Sequence, residues 1–163
     1  LLVLVPRHTG RGAAIAEVAL AQGFRVARRA AGEPLDATTQ VYVADTLGEL
    51  GLWFRLAKVA LICGSLVPRI GGHNPLEASR LGCPVASGRS VQNWRGVYAS
   101  LDAERAVRMI GGATELAGVF AESLTDDSAL RDEAARAQAF AGRQGGAVEA
   151  TCARLMALLE RAP

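Results

Sequence analysis

The sequence predicts an α/β domain, a Rossmann-like parallel sheet with helices on both faces, and three observations predict it. Six short apolar runs, at residues 1–5, 24–28, 40–44, 59–63, 84–87 and 105–109, read as strands. A helical pattern follows nearly every one, the strict alternation of an α/β domain. Distinctive polar residues gather in the loops after the first and fourth runs, at 6–9 and 64–74.

Residues 1–5 (LLVLV) are continuously aliphatic, as in a strand buried on both faces, and Pro6 ends them. A helix over 11–22 leads through Gly23 to the second strand, and a loop bearing Gly and Pro leads to the third. Helix 48–57, strand 59–63, helix 75–81 and strand 84–87 continue the alternation. Beyond Asn93 come a helix to about residue 101, a short sixth strand near 105–109, and helices over 114–124, 127–140 and 147–159. The GRQGG stretch at 142–146 reads as a turn between the last two helices. We expect one domain over 1–163, with its C-terminal helices starting at about residue 111.

Composition narrows the function. The 163 residues are 50% apolar, enough for one continuous core. The net charge of +2 comes from 18 Lys plus Arg against 16 Asp plus Glu, spread without a basic block, which argues against a nucleic-acid partner. Cys63, Cys83 and Cys152 are odd in number and far apart, so they spell neither a disulfide framework nor a CxxC metal site and fit a reducing cytosol. Cys63 reads as a buried small residue. No apolar run approaches the roughly 20 residues of a membrane helix. The chain opens inside a strand without an initiator Met, and we expect a further part to precede it.

In open α/β sheets, ligands bind beyond the carboxyl ends of the strands where the strand order reverses. With the common order 3-2-1-4-5-6, that point lies between the first and fourth strands. Their loops hold both histidines, His8 and His73. Thr46-Leu47-Gly48-Glu49 and Asn74-Pro75-Leu76-Glu77 have the form of capping boxes. Capping does not account for Gly71, Gly72 and His73. Paired glycines let a ligand approach the backbone and leave N–H groups pointing outward, and a helix start adds partial positive charge, so a phosphate site needs no basic surface. His73 and Arg7 could add donors. Glu77 could accept from ribose hydroxyls, in competition with its capping role. There is no Walker motif, GRGAA is not a dinucleotide fingerprint, and no acidic cluster has metal-ligand spacing. Charge neutralisation is therefore expected from helix dipoles and side chains, with neither metal nor cofactor.

Four stretches, PRHTGR (6–11), VADTLGELGLWFRLAKVALICGSL (43–66), GGHNPLEASRLGCPV (71–85) and QNW (92–94), resemble in order and spacing the donor-binding half of bacterial 3-deoxy-D-manno-octulosonic acid (Kdo) transferases. The resemblance covers most of residues 1–101. It implies the C-terminal half of a GT-B glycosyltransferase, an inverting enzyme that takes Kdo from CMP-Kdo to a lipid A precursor at the cytoplasmic face of the bacterial inner membrane. Carried over residue by residue, Arg7 and His8 lie near the donor, and Leu47, Gly48 and Glu49 form the helix start against the cytidine. Gly71, Gly72, His73 and Asn74 form the phosphate loop, Glu77 meets the ribose, and Ser65 and Asn93 line the same cleft. The general base and the acceptor belong to an N-terminal domain outside this sequence, which would also mediate peripheral membrane association. No catalytic residue is therefore expected here. Arg89 and Ser90 stand where the family commonly has Pro and His, so no role is carried over to them. Another GT-B transferase or epimerase, or a non-catalytic nucleotide-binding module, are the alternatives.

Overall fold

The computed structural model describes residues 1–160, with backbone only at 147–149. The chain divides into two compact units, residues 1–53 and 54–163, the division falling within helix α2 (Leu50–Leu56).

In the first unit, β1 (Leu2–Leu4), β2 (Val26–Arg28) and β3 (Val41–Val43) form a parallel sheet in the order β1-β3-β2, with helix α1 (Gly12–Ala21) between β1 and β2 in sequence. This corrects the expected 3-2-1 order: β3 is central. All three of its residues are buried, so it is the strand best suited to neighbours on both sides. Successive side chains point to opposite faces. Val41 and Val43 pack with Ala16 and Ala19 of α1, while Tyr42 and Ala44 pack with Ala27, Val3 and Trp53. The Tyr42 and Trp53 ring centroids lie 5.6 Å apart. The β1 run is not buried as expected. Leu1, Leu2 and Val5 are exposed, because within its sheet β1 pairs on one side only.

In the second unit, β4 (Ala60–Ile62), β5 (Val85–Gly88) and β6 (Arg108–Ile110) form a parallel sheet in the order β4-β5-β6, as expected. Every residue of the central β5 is buried. Val85 faces a cluster with Leu76, Tyr98, Leu101 and Phe140, and Ala86 faces Ile110, Val119 and Leu130. Apart from Ile110 of β6, these side chains come from helices α3 (Leu76–Arg80), α4 (Arg95–Ala103), α5 (Ala113–Thr125) and α6 (Ser128–Arg143). Helix α3 packs against α6, where the Gln138 side chain donates to the Arg80 carbonyl at 3.2 Å. A turn through Gly146, at φ 93°, leads to α7 (Ala147–Leu159). No helix among the described residues is long and apolar enough to cross a membrane.

Candidate donor-binding loops

Each unit presents expected site residues in loops beyond the carboxyl ends of its strands. In the first unit, β1 gives way to exposed Arg7 and His8, whose backbone leads into a short 3-10 turn at Thr9–Arg11. The loop after β3 is tied down from within. Asp45, 2% exposed, accepts from Arg28 Nε at 2.6 Å and from the Ala30 N–H at 2.8 Å. A Cβ on Gly12 would come within 1.9 Å of its Oδ2, so only glycine lets α1 start there. Burial works against the ionised form of Asp45, but the Ala30 N–H and Arg28 outweigh it and hold the carboxyl below its ordinary value.

Glu49 is also spent internally. Arg29 donates to it from Nε at 3.0 Å and from Nη2 at 2.5 Å, and Thr46 donates its hydroxyl. These bonds, Arg29's foremost, hold Glu49 below the usual glutamate value. The expected capping box is therefore absent: Thr46 bonds the Glu49 side chain and α2 begins later, at Leu50. Its place is taken by a latch from the end of β2 to the start of α2. Glu49 positions this turn, and Leu47, 81% exposed, with Gly48 at φ 83°, is the part left facing outward.

In the second unit, the β4 exit is rigid. Ser65, 1% exposed, donates its hydroxyl to the Ile62 carbonyl at 2.6 Å and accepts from the Gly88 N–H at 2.8 Å. Its side chain joins two strand ends, so its hydroxyl serves the fold even where the residue lines a pocket. Cys63 proves exposed. The stretch from Gly64 to Asn74 folds back on itself. Gly71 and Gly72 have φ of 83° and 74°, a region that disfavours any side chain. The Gly72 N–H donates to the Gly64 carbonyl at 3.2 Å, so this amide closes the loop and does not point outward as expected. Asn93 clamps the same turn. Its side-chain Nδ2 donates to the Ile70 carbonyl at 2.9 Å and its backbone N–H to the Gly71 carbonyl at 3.0 Å. A Cβ on Gly71 would meet the Asn93 amide at 2.7 Å.

Half-buried His73 is anchored through its carbonyl, which accepts from the Tyr98 hydroxyl at 3.1 Å. Asn74 accepts the Leu76 N–H at 3.0 Å and so starts α3 as anticipated. The other half of that capping box is missing. Glu77 is exposed and hydrogen-bonds to no described residue, so capping does not compete for it. Helix α3 has five residues, fewer than expected, so its dipole is small and the loop itself must carry most of any attraction for a phosphate. Among the described residues, no three His, Cys, Asp or Glu side chains cluster so as to hold a metal ion.

Asp45, Arg28 and Arg29 escaped the sequence reasoning. The available signal was the acid immediately following the apolar run VYVA, since a carboxylate at the end of a buried strand needs a cation or N–H donors.

No family model matches the sequence. The chain is 32% identical over 132 residues to the 3-deoxy-D-manno-octulosonic acid transferase of Haemophilus influenzae, covering 81% of this chain and 31% of that protein. It is 39% identical over 97 residues to the Bordetella pertussis transferase of the same name, covering 58% of this chain and 22% of that protein. The chain thus spans less than a third of the length of these relatives. Among solved structures, it is similar to the C-terminal CMP-Kdo binding domain of WaaA from Acinetobacter baumannii, with a TM-score of 0.79 and 32% identity over 83% of this chain and 70% of that one. The parallel α/β architecture and these likenesses agree with the resemblance carried by the sequence motifs: the chain belongs to the 3-deoxy-D-manno-octulosonic acid transferase family.

Proposed function

We propose that this chain binds CMP-Kdo and serves as the donor-binding part of a transferase that passes Kdo to a lipid A precursor. The likeness to a solved CMP-Kdo binding domain carries the proposal. The second unit's loop supports it: a backbone pinned by Asn93 and the Gly64 carbonyl, followed by a carboxylate that bonds to no described residue. In this reading, residues 71–74 hold the donor phosphate, with His73 contributing a side-chain donor, and Glu77 accepts from the ribose hydroxyls. A rigid loop loses little entropy when it closes on an anion. Arg7, His8, Leu47 and Gly48 enter the proposal through the family resemblance alone, and Glu49 enters as a residue that shapes its turn.

The acceptor site, the general base that deprotonates the acceptor hydroxyl, and peripheral association with the cytoplasmic face of the inner membrane belong to the whole enzyme in this proposal. The test is calorimetric titration of the chain with CMP, UMP and ADP in EDTA. Preferential CMP binding is expected. Preference for UMP would point to another nucleotide-sugar enzyme, and no binding by the folded chain would overturn the donor role.

A further inference from the structure

The carboxyl ends of all three strands of the second sheet meet around one small pocket. It has a volume of about 190 Å³ and is lined by Ser65 and Leu66 after β4, Arg89 and Ser90 after β5, and Ile110 and Gly111 at the end of β6, with Pro68 completing the wall. Its base is fixed by backbone. The Ser90 N–H donates to the Ser65 carbonyl at 2.8 Å, and a Cβ on Gly88 would come within 2.3 Å of that same oxygen. The polar side chains in the wall are already engaged: Ser65 with Ile62 and Gly88, and Ser90 with Gln92 at 3.0 Å.

Among the described lining residues Arg89 is the charged one, and the Glu115 carboxylate next to the pocket is engaged by the N–H of lining Gly111 at 3.0 Å. It is exposed and makes no ion pair or hydrogen bond with the described residues. A lone guanidinium on a rigid rim is suited to bidentate binding of a carboxylate. The pocket is smaller than the roughly 300–1,000 Å³ of sites that enclose a drug-sized ligand, so it suits one part of a nucleotide sugar better than the whole.

We infer that this pocket is the subsite for the acidic sugar of the donor, with Arg89 pairing with its carboxylate. The inference rests on the donor reading above and makes Arg89 a specificity residue for an ulosonic acid over a neutral sugar. It also gives a role to a position where this chain departs from the Pro-His common in the family.

The test is titration of the chain with free Kdo and with Kdo methyl ester at saturating CMP, for wild type, Arg89→Lys and Arg89→Ala, alongside titration with CMP alone. Arg89→Ala is expected to lower Kdo affinity about tenfold or more, the scale of a hydrogen bond to a charged group. Arg89→Lys should recover part of it, and the ester should bind wild type and Arg89→Ala alike. Equal Kdo affinity in wild type and Arg89→Ala, or no Kdo binding by wild type, would overturn the inference. So would an equal loss of CMP affinity in Arg89→Ala, which would place the guanidinium at the phosphate. Failure of the donor reading has a different signature, the absence of CMP binding in every variant.

Discussion

Two turns of similar sequence form, residues 46–49 and 74–77, end in opposite states. In the first, the acid is consumed: Glu49 is bonded to Arg29 and Thr46, and Asp45, just before the turn, is buried on Arg28 and the Ala30 N–H. In the second, Asn74 caps the helix and Glu77 is left exposed with no partner among the described residues. The difference lies outside the motifs. Arg28 and Arg29 at the end of β2 supply cations to the first turn, whereas no described residue offers one to Glu77. A polar residue in a motif becomes available for a ligand only when the surrounding fold leaves it unpaired.

Substitutions should separate the two turns by kind of effect. The largest loss of stability is expected from Asp45→Ala, which strands Arg28 and the Ala30 N–H, at about 3 kcal/mol by chemical denaturation. A loss below about 0.5 kcal/mol, the scale of an ordinary surface substitution, would show that the latch carries little. Gly72→Ala is expected to cost about 1–3 kcal/mol, because alanine must adopt φ 74° with its Cβ 3.2 Å from the Ser90 carbonyl. Its effect on a ligand would therefore be mixed with its effect on the fold.

The smallest effect is on pH dependence. Asp45 and Glu49 are held below their ordinary values of 3.8 and 4.5. Their stabilisation is therefore complete above those values and lost as pH falls through the lower folded-state ones. Asp45→Ala should flatten this acid limb in denaturation measured below about pH 5. An unchanged limb would contradict the assignment.

Much of this was legible in the sequence, for identifiable reasons. Short buried strands such as VYV and VASG announce themselves because a parallel sheet must bury both faces. The order of strands in the first sheet was not legible, since pairing is decided by neighbours distant in sequence, and the continuous LLVLV run gave no sign that its strand would pair on one side only. At the candidate site, the Asn74 cap follows from local geometry and the sequence predicts it, whereas the Gly71-Gly72 pair reads in the sequence as room for a ligand and turns out to be left-handed backbone. The Glu49–Arg29, Ser65–Gly88 and Gly72–Gly64 bonds were not legible, because each joins residues between eight and 23 positions apart in the chain. Arg89 carries no signal in the sequence, because the pocket it lines is assembled from three strand ends distant along the chain.

The most direct measurement is CMP affinity and unfolding midpoint for wild type and Glu77→Gln in the same buffer. The Glu77 side chain has no bonds to described residues to lose, so the midpoint should stay within about 0.5 kcal/mol of wild type, while CMP binding weakens about tenfold as a charge-assisted bond to ribose is lost. Unchanged CMP affinity, or a drop in midpoint large enough to explain the weakening, would contradict the claim that Glu77, at the end of this loop, serves a nucleotide and not the fold.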